Sequence, residues 1–359
     1  MIAADARLIL VFTSDGYSPP DLLRGIRSVT GDVPLIGSST AGEITAAGPA
    51  ESSVVVVALG GAGFTVATAD ASVKSGSQEA GAQVARALNL IDAPNKILLM
   101  LVDSVSAYHH AVVRGAYSQA GAAVRLVGGC AAEGGLRSSR AFTLRDGRSF
   151  ERSVVAAAIG STGPFGIGVR HGWSRVGEPM AITRDDHNRV ALLDDEPALD
   201  RYLDRLEAPA EVYRDAEAFT RFIQTRPLGL LRREGEANVR HVGDPNFEDR
   251  TLGGQVIDIA EGGLIWVMEG DARSICDAAD LACTDALAGL EGRPPLGLVV
   301  FDCAARKSIL GDYLGPEIDK IAGHAAGSPV AGFYSYGEIA RTRGPSGYHQ
   351  ETLVVLALG

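Results

Sequence analysis

The chain has 359 residues, 46% of them apolar and 21% charged, which is more than one hydrophobic core uses, so two domains are expected. A net charge of −11 with scattered Lys and Arg argues against nucleic acid or an anionic membrane as partner. Asp5 precedes an apolar run of only five residues at 8–12, too short for a leader, and four Cys in so long a chain make no disulfide framework, so a reducing cytoplasm is the expected setting.

From the start, apolar strand 8–12 leads to Ser18, Pro19, Pro20 and Asp21, which read as a helix N-cap, a Pro in the first turn and an acid at N3. Leu22, Leu23, Ile26 and Val29 supply the buried face of that helix. Next come 33–37 (VPLIG), the turn 38–44 (SSTAGEI) and the run 53–60 (SVVVVALG), apolar at every position from 54 to 59. Such runs predict strands buried on both faces, with helices covering the sheets.

The last sixty residues repeat this order: 298–303 (LVVFDC), a long helical region, 328–332 (SPVAG), 333–339 (FYSYGEI) and 352–359 (TLVVLALG). Segments 37–44 and 332–339 align without a gap. A weaker copy lies between them: strand 97–102, a helix with Val105, Tyr108, Val112 and Val113, then 126–130 (LVGGC) and 153–160 (SVVAAAIG), the Gly-Glu-Ile signature being reduced to Glu133, Gly134 and Gly135.

Linking elements are a strand at 64–68, a helix near 77–90, a strand at 264–268 and a helix opening at Asp271 that carries Cys276 and Cys283 two turns apart. The charge-free stretches 53–69 and 153–169 approach membrane-spanning length, but their Gly and β-branched residues predict strands. Segment 227–268 reads as an antiparallel meander, and Asp185, Asp186, His187 and Asn188 as a turn before Asp194 and Pro197 open a new helix. The expected fold is α/β, two related halves of stacked mixed β-sheets flanked by helices with internal β-α-β-β repeats, divided as 1–190 and 191–359, with a cleft between the halves as a natural ligand site.

Glu43 and Glu338 each follow a Gly in the repeated turn, where a carboxylate could bind an amine or a hydroxyl or could pair within its own loop. Tyr334 and Tyr336 offer apolar faces and polar tips, and Phe333 reads as core. Cys303 ends a strand before Arg306 and Lys307, which could lower its pKa, although Cys is also a common buried hydrophobe. His349 precedes the last strand and is expected beside Glu338. His109 and His110 read as a partly exposed helix face, and His187 as a solvated turn residue. His171, followed by Gly172 and Trp173, could ligate a haem iron, with Arg170 or Arg175 on a propionate, or be an ordinary hydrogen-bonded histidine. There is no HExxH, Gly-x-Ser-x-Gly, Walker loop or Rossmann fingerprint. A binding module is therefore the leading reading, and an enzyme with Cys303 as nucleophile, His349 as base and Glu338 as orienter is its rival.

The ending PVAGFYSYGEIARTRGPSGYHQETLVVLAL resembles a carboxy-terminal FIST domain, and VPLIGSSTAGEI followed by SVVVVAL resembles the amino-terminal one. Segment 170–173 (RHGW) and the turn and helix at 188–202 extend the resemblance over nearly the whole chain. It implies a sensory, ligand-binding module of signal transduction, found in bacteria and, attached to an F-box, in eukaryotes, with small molecules such as amino acids as ligands. Some bacterial members are similar to haem proteins that sense nitric oxide and act on histidine kinases or cyclic-di-GMP enzymes. The sequence shows no kinase, cyclase or F-box segment, so the signal is expected to pass to a separate protein.

Overall fold

A computed structural model describes residues 5–104, 108–134, 141–186, 189–230, 238–254, 261–342 and 347–359; Val105, Gly135, His187 and Asn188 lie outside them. The chain is α/β, two related halves of stacked mixed sheets flanked by helices, built on β-α-β-β repeats. Each copy contributes a first strand, a helix, and a second strand parallel to the first. A short strand then crosses out of the sheet, and a return strand runs antiparallel to the first.

In copy one the first and second strands are Ala6–Ser14 and Leu35–Thr40, with return strand Val54–Gly60. Their counterparts are Asn95–Val102, Arg125–Cys130 and Ser153–Ser161 in copy two, and Gly297–Cys303, Val330–Ser335 and Leu353–Leu358 in copy three. The crossing strands are exchanged in a cycle. Glu43–Thr45 of copy one pairs with Val330–Ser335 of copy three. Glu338–Arg341 of copy three pairs with Arg125–Cys130 of copy two, and Thr143–Arg145 of copy two pairs with Leu35–Thr40 of copy one. Three sheets of equivalent strand order result, each completed by the crossing strand of another copy.

Their inner faces share one core. Leu10, Leu99 and Val299 occupy equivalent positions, each four residues before Ser14, Asp103 and Cys303; Phe12, Leu101 and Phe301 form the next layer. Phe333 fills the centre, its ring 4.8 Å from Phe12 and 5.6 Å from Phe301, where the other copies carry only Ser38 and Gly129. One large residue and two small ones fit a shared centre at native packing density.

The outer faces take helices Ser77–Ala85 and His109–Ala120 on the sheet of copy two, and Ala272–Ala288 and Leu314–Ala325 on that of copy three. The invariant feature of the three second strands is a Gly. A Cβ at Gly37, Gly128 or Gly332 would stand 2.4, 1.8 or 2.0 Å from the carbonyl oxygen of Val11, Met100 or Val300, so nothing larger fits against the first strand.

The two charge-free stretches are strand pairs, and among the described residues no helix is long and apolar enough to cross a membrane. The expectation that 54–59 is buried on both faces fails: only Leu59 is buried and Val56 is 43% exposed. Ser153–Ser161 lies between two strands because Phe64–Ser72 pairs beyond it, and Leu353–Leu358 is likewise covered by Phe165–Arg170. Val54–Gly60 ends its sheet. Val29 is also solvent-facing, since helix Pro19–Thr30 buries Leu23 and Thr30 instead.

Residues 174–269 form the other unit, an eight-stranded sheet whose described pairings are all antiparallel, as expected of 227–268. Helices Ala198–Arg205 and Ala216–Ile223 place Tyr202 and Phe219 in its core. Residue 190 lies within strand Arg189–Leu193, which pairs with Ser174–Asp186.

Candidate ligand-binding site

At one end of the shared core the apolar layers give way to polar residues, because the first strands end at Ser14 and Cys303 and, in copy two, just before Asp103. Ser14, Asp103 and Cys303 are equivalent: the backbone N–H of each donates to the carbonyl of the residue opening its return strand, Ser53, Ser153 and Thr352. The residue before each of these, Ser52, Arg152 and Glu351, has positive φ (53°, 49° and 54°), so the same tight corner recurs three times.

The inward residues of the crossing strands stand opposite the neighbouring copy's centre: Glu43 opposite Phe333, Glu338 opposite Gly129, and Thr143 opposite Ser38. Thr143, and not Glu133, is therefore the counterpart of the two glutamates, because the turn of copy two is longer. Glu133 remains in that turn, where its carbonyl accepts a hydrogen bond from the Tyr336 hydroxyl at 3.1 Å.

These equivalent sites are satisfied differently. The fully buried Glu43 carboxylate accepts from Ser14 Oγ (3.1 Å), Thr40 Oγ1 (2.5 Å) and Ser53 Oγ (2.5 Å). Thr143 Oγ1 and Ser153 Oγ pair at 2.7 Å. In copy three the three hydroxyl positions are Cys303, Ser335 and Thr352. Ser335 Oγ donates to Glu338 Oε1 at 2.7 Å, whereas Thr352 Oγ1 turns to the Gln350 carbonyl at 2.6 Å. Glu338 Oε2 is buried with no partner among the described residues. Burial, then the nearby Asp302 against the Ser335 hydrogen bond, raises Glu338 well above the usual carboxylate range, which favours its protonated form. Both oxygens of Glu43 are thus hydrogen-bonded, whereas one oxygen of Glu338 is not.

Around Glu338 lies a buried charge cluster that the sequence reading did not find. Arg306 Nε donates to Asp302 Oδ1 at 2.7 Å, Nη1 to the His171 carbonyl at 2.9 Å, and Nη2 to Glu317. Burial, then the adjacent Asp302, raises Glu317 well above its ordinary value, with Arg306 acting in the other direction. The available signal was Asp302 and Arg306, four residues apart across a strand end and a helix start. Glu351, buried beside this cluster, accepts from His241 Nδ1 of the eight-stranded unit at 2.8 Å, and Trp173 Nε1 donates to its carbonyl at 3.1 Å.

Of the other proposed site residues, Cys303 is buried beside Glu338 and Glu351; burial, then these acids, raise its thiol. Arg306 and Lys307 were expected to lower it, but Arg306 is committed to Asp302 and Glu317 and Lys307 Nζ to the Ala41 carbonyl (2.9 Å) and Glu51 (2.8 Å). A nucleophilic thiolate needs the opposite environment. His349 pairs with Glu338 in register, and its Nε2 lies 2.9 Å from the Ala340 carbonyl. Tyr334 faces the outer helices, over which Lys307 approaches its ring, and Tyr336 is 38% exposed on the turn. His109, expected on an exposed face, is buried with Nε2 3.1 Å from the Asp103 carbonyl and its ring stacked on Tyr348.

The surroundings of His171 do not fit a haem. Its Nδ1 accepts the Trp173 backbone N–H at 2.9 Å, which puts the neutral ring's proton on Nε2, the atom that would face an iron. Arg170 pairs with Asp285 at 2.6 Å and Arg175 stacks on Trp266, leaving neither for a propionate. Strand Phe165–Arg170 leaves no porphyrin crevice: a Cβ at Gly166 or Gly168 would stand 1.7 or 1.8 Å from carbonyl oxygens of helix Ala272–Ala288. Among the described residues no group of His, Cys, Asp and Glu could hold a metal ion.

A three-sheet α/β module whose core ends in a cluster of buried acids, with carboxyl oxygens of Glu338, Asp302, Glu317 and Glu351 left without hydrogen-bond partners among the described residues, has the form of a small-molecule binding protein. Family models agree with this: the FIST N domain matches residues 7–196 and the FIST C domain residues 198–341, and the chain belongs to the FIST family. FIST domains are small-ligand sensory domains of signal transduction. No curated protein matches the chain.

Proposed function

We propose that the chain senses a small polar ligand at Glu338 and passes the signal to a separate protein such as a histidine kinase or a cyclic-di-GMP enzyme. One observation carries this reading: of two equivalent buried glutamates, Glu43 is saturated by three hydroxyls and Glu338 is bound by Ser335 alone. A buried polar group without a partner costs about 1–3 kcal/mol, which a ligand acceptor would recover. The protonated form that burial favours would donate, which suits a ligand that presents a carbonyl or carboxylate oxygen, as a free amino acid does.

Tyr336, two residues away, bonds across to copy two through Glu133, so displacement of the turn at 335–338 would move two sheets together. Titration of the purified protein with a panel of free amino acids, followed by calorimetry, tests the proposal. Glu338→Ala should weaken the binder by at least about tenfold, or about 1.4 kcal/mol. Its melting temperature should stay close to that of the parent, and Glu338→Gln should bind at an intermediate level. Parallel loss of binding and of stability would make Glu338 a structural residue.

A further inference from the structure

The three sheets align strand by strand, but those of copies two and three have six strands and that of copy one has five. The sixth strand is a linking segment in both cases: Phe64–Ser72 follows copy one and completes copy two, and Phe165–Arg170 follows copy two and completes copy three. No described strand does this for Val54–Gly60, so among the described residues the seam between the first and third sheets is uncovered. Behind the seam is a cavity of about 440 Å³ at the end of the core opposite Glu338. Leu10, Leu99 and Leu356, one from each sheet, reach its floor and are themselves almost fully covered; Val57, Ala331 and the 56% exposed Leu296 also line it.

We propose that this cavity binds one uncharged apolar molecule, a hydrocarbon chain of the acyl or isoprenoid class. Its volume falls in the range of about 300–1,000 Å³ usual for ligand sites and exceeds the roughly 150 Å³ that holds a benzene. Thr45 is the one polar side chain of the lining, and its hydroxyl donates to the Gly48 carbonyl at 3.3 Å. The free backbone edge of Val54–Gly60 is the other polar surface of the lining, and with no ionic side chain there a charged or zwitterionic ligand would lose its hydration without a counter-charge. The lining therefore selects by charge, and it selects against the amino acids that suit Glu338.

The experiment titrates the full chain with the neutral fluorophore N-phenylnaphthylamine and displaces it with decanol. Saturable binding of one probe per chain, displaced by decanol and unaffected by free amino acids, is the expected result. Ala331→Phe and Val57→Phe, which add bulk at two lining positions, should each weaken the probe by at least about tenfold. Leu90→Ser, which removes an exposed apolar side chain elsewhere, should not. Val57 lies on a sheet edge where the backbone can yield, so its variant keeps the test valid if Ala331→Phe fails to fold. Absence of saturable binding, or binding unchanged in a folded Phe variant, would overturn the proposal. So would probe binding that appears only on dilution of a dimer, which would identify a second copy as the occupant. Loss of amino-acid binding at Glu338 would leave it standing.

Discussion

Acidification should expose the cost of His109. Burial holds this imidazole down at about 4, against 6.5 in the free side chain, although the Asp103 carbonyl works in the other direction. Its folded pKa is depressed, so the unfolded chain takes up a proton that the folded protein refuses, and stability falls as pH drops from 6.5 toward 4. Linkage gives a loss of about 2.5 kcal/mol between about pH 7.5 and about pH 4.5 from this group alone. Other groups also titrate in that window; Glu338 and Glu317, with raised values, oppose the trend by stabilising the fold at lower pH. The measurement is therefore a difference: urea unfolding of the parent and of His109→Gln at both pH values. The parent should lose about 2.5 kcal/mol more than the variant on acidification. Equal pH dependence of the two proteins would show that His109 is solvated or paired with an acid in the folded state, and would refute the reasoning.

Arg306→Ala should destabilise the fold by about 3–5 kcal/mol at neutral pH, because Asp302 and Glu317 would be left buried without their cation. The deficit should shrink on acidification, as read from chemical denaturation at several pH values. Haem added to the purified protein should give no Soret band that His171→Ala removes, since Nδ1 of His171 already accepts the Trp173 N–H; a His171-dependent band would mean that this turn rearranges.

Much of the scaffold was legible in the sequence because it rests on local rules. The apolar runs at 8–12, 97–102 and 298–303 could only be strands, and Gly37, Gly128 and Gly332 mark the close approach of each second strand to its first. Ser18 and the prolines after it set the start of the first helix, and Asp271 with Ser274 forms the capping box of the helix Ala272–Ala288. Two of the site residues, Glu43 and Glu338, were visible from the repeated turn alone.

What these two carboxyls do was decided by tertiary structure. A turn sequence fixes where a side chain starts, but not which hydroxyls its partners across the sheet present: Ser14, Thr40 and Ser53 saturate Glu43, while Cys303 and the turned-away Thr352 leave Glu338 half bonded. The cyclic exchange of crossing strands was equally out of reach, since pairing between Glu43–Thr45 and Val330–Ser335 spans nearly the whole chain and leaves no local periodicity. For the same reason the same kind of continuous apolar run gives buried strands at Ser153–Ser161 and Leu353–Leu358 but a half-exposed edge at Val54–Gly60. Composition determined that each would be a strand; the presence or absence of a sixth neighbour determined which were covered and where a cavity opened.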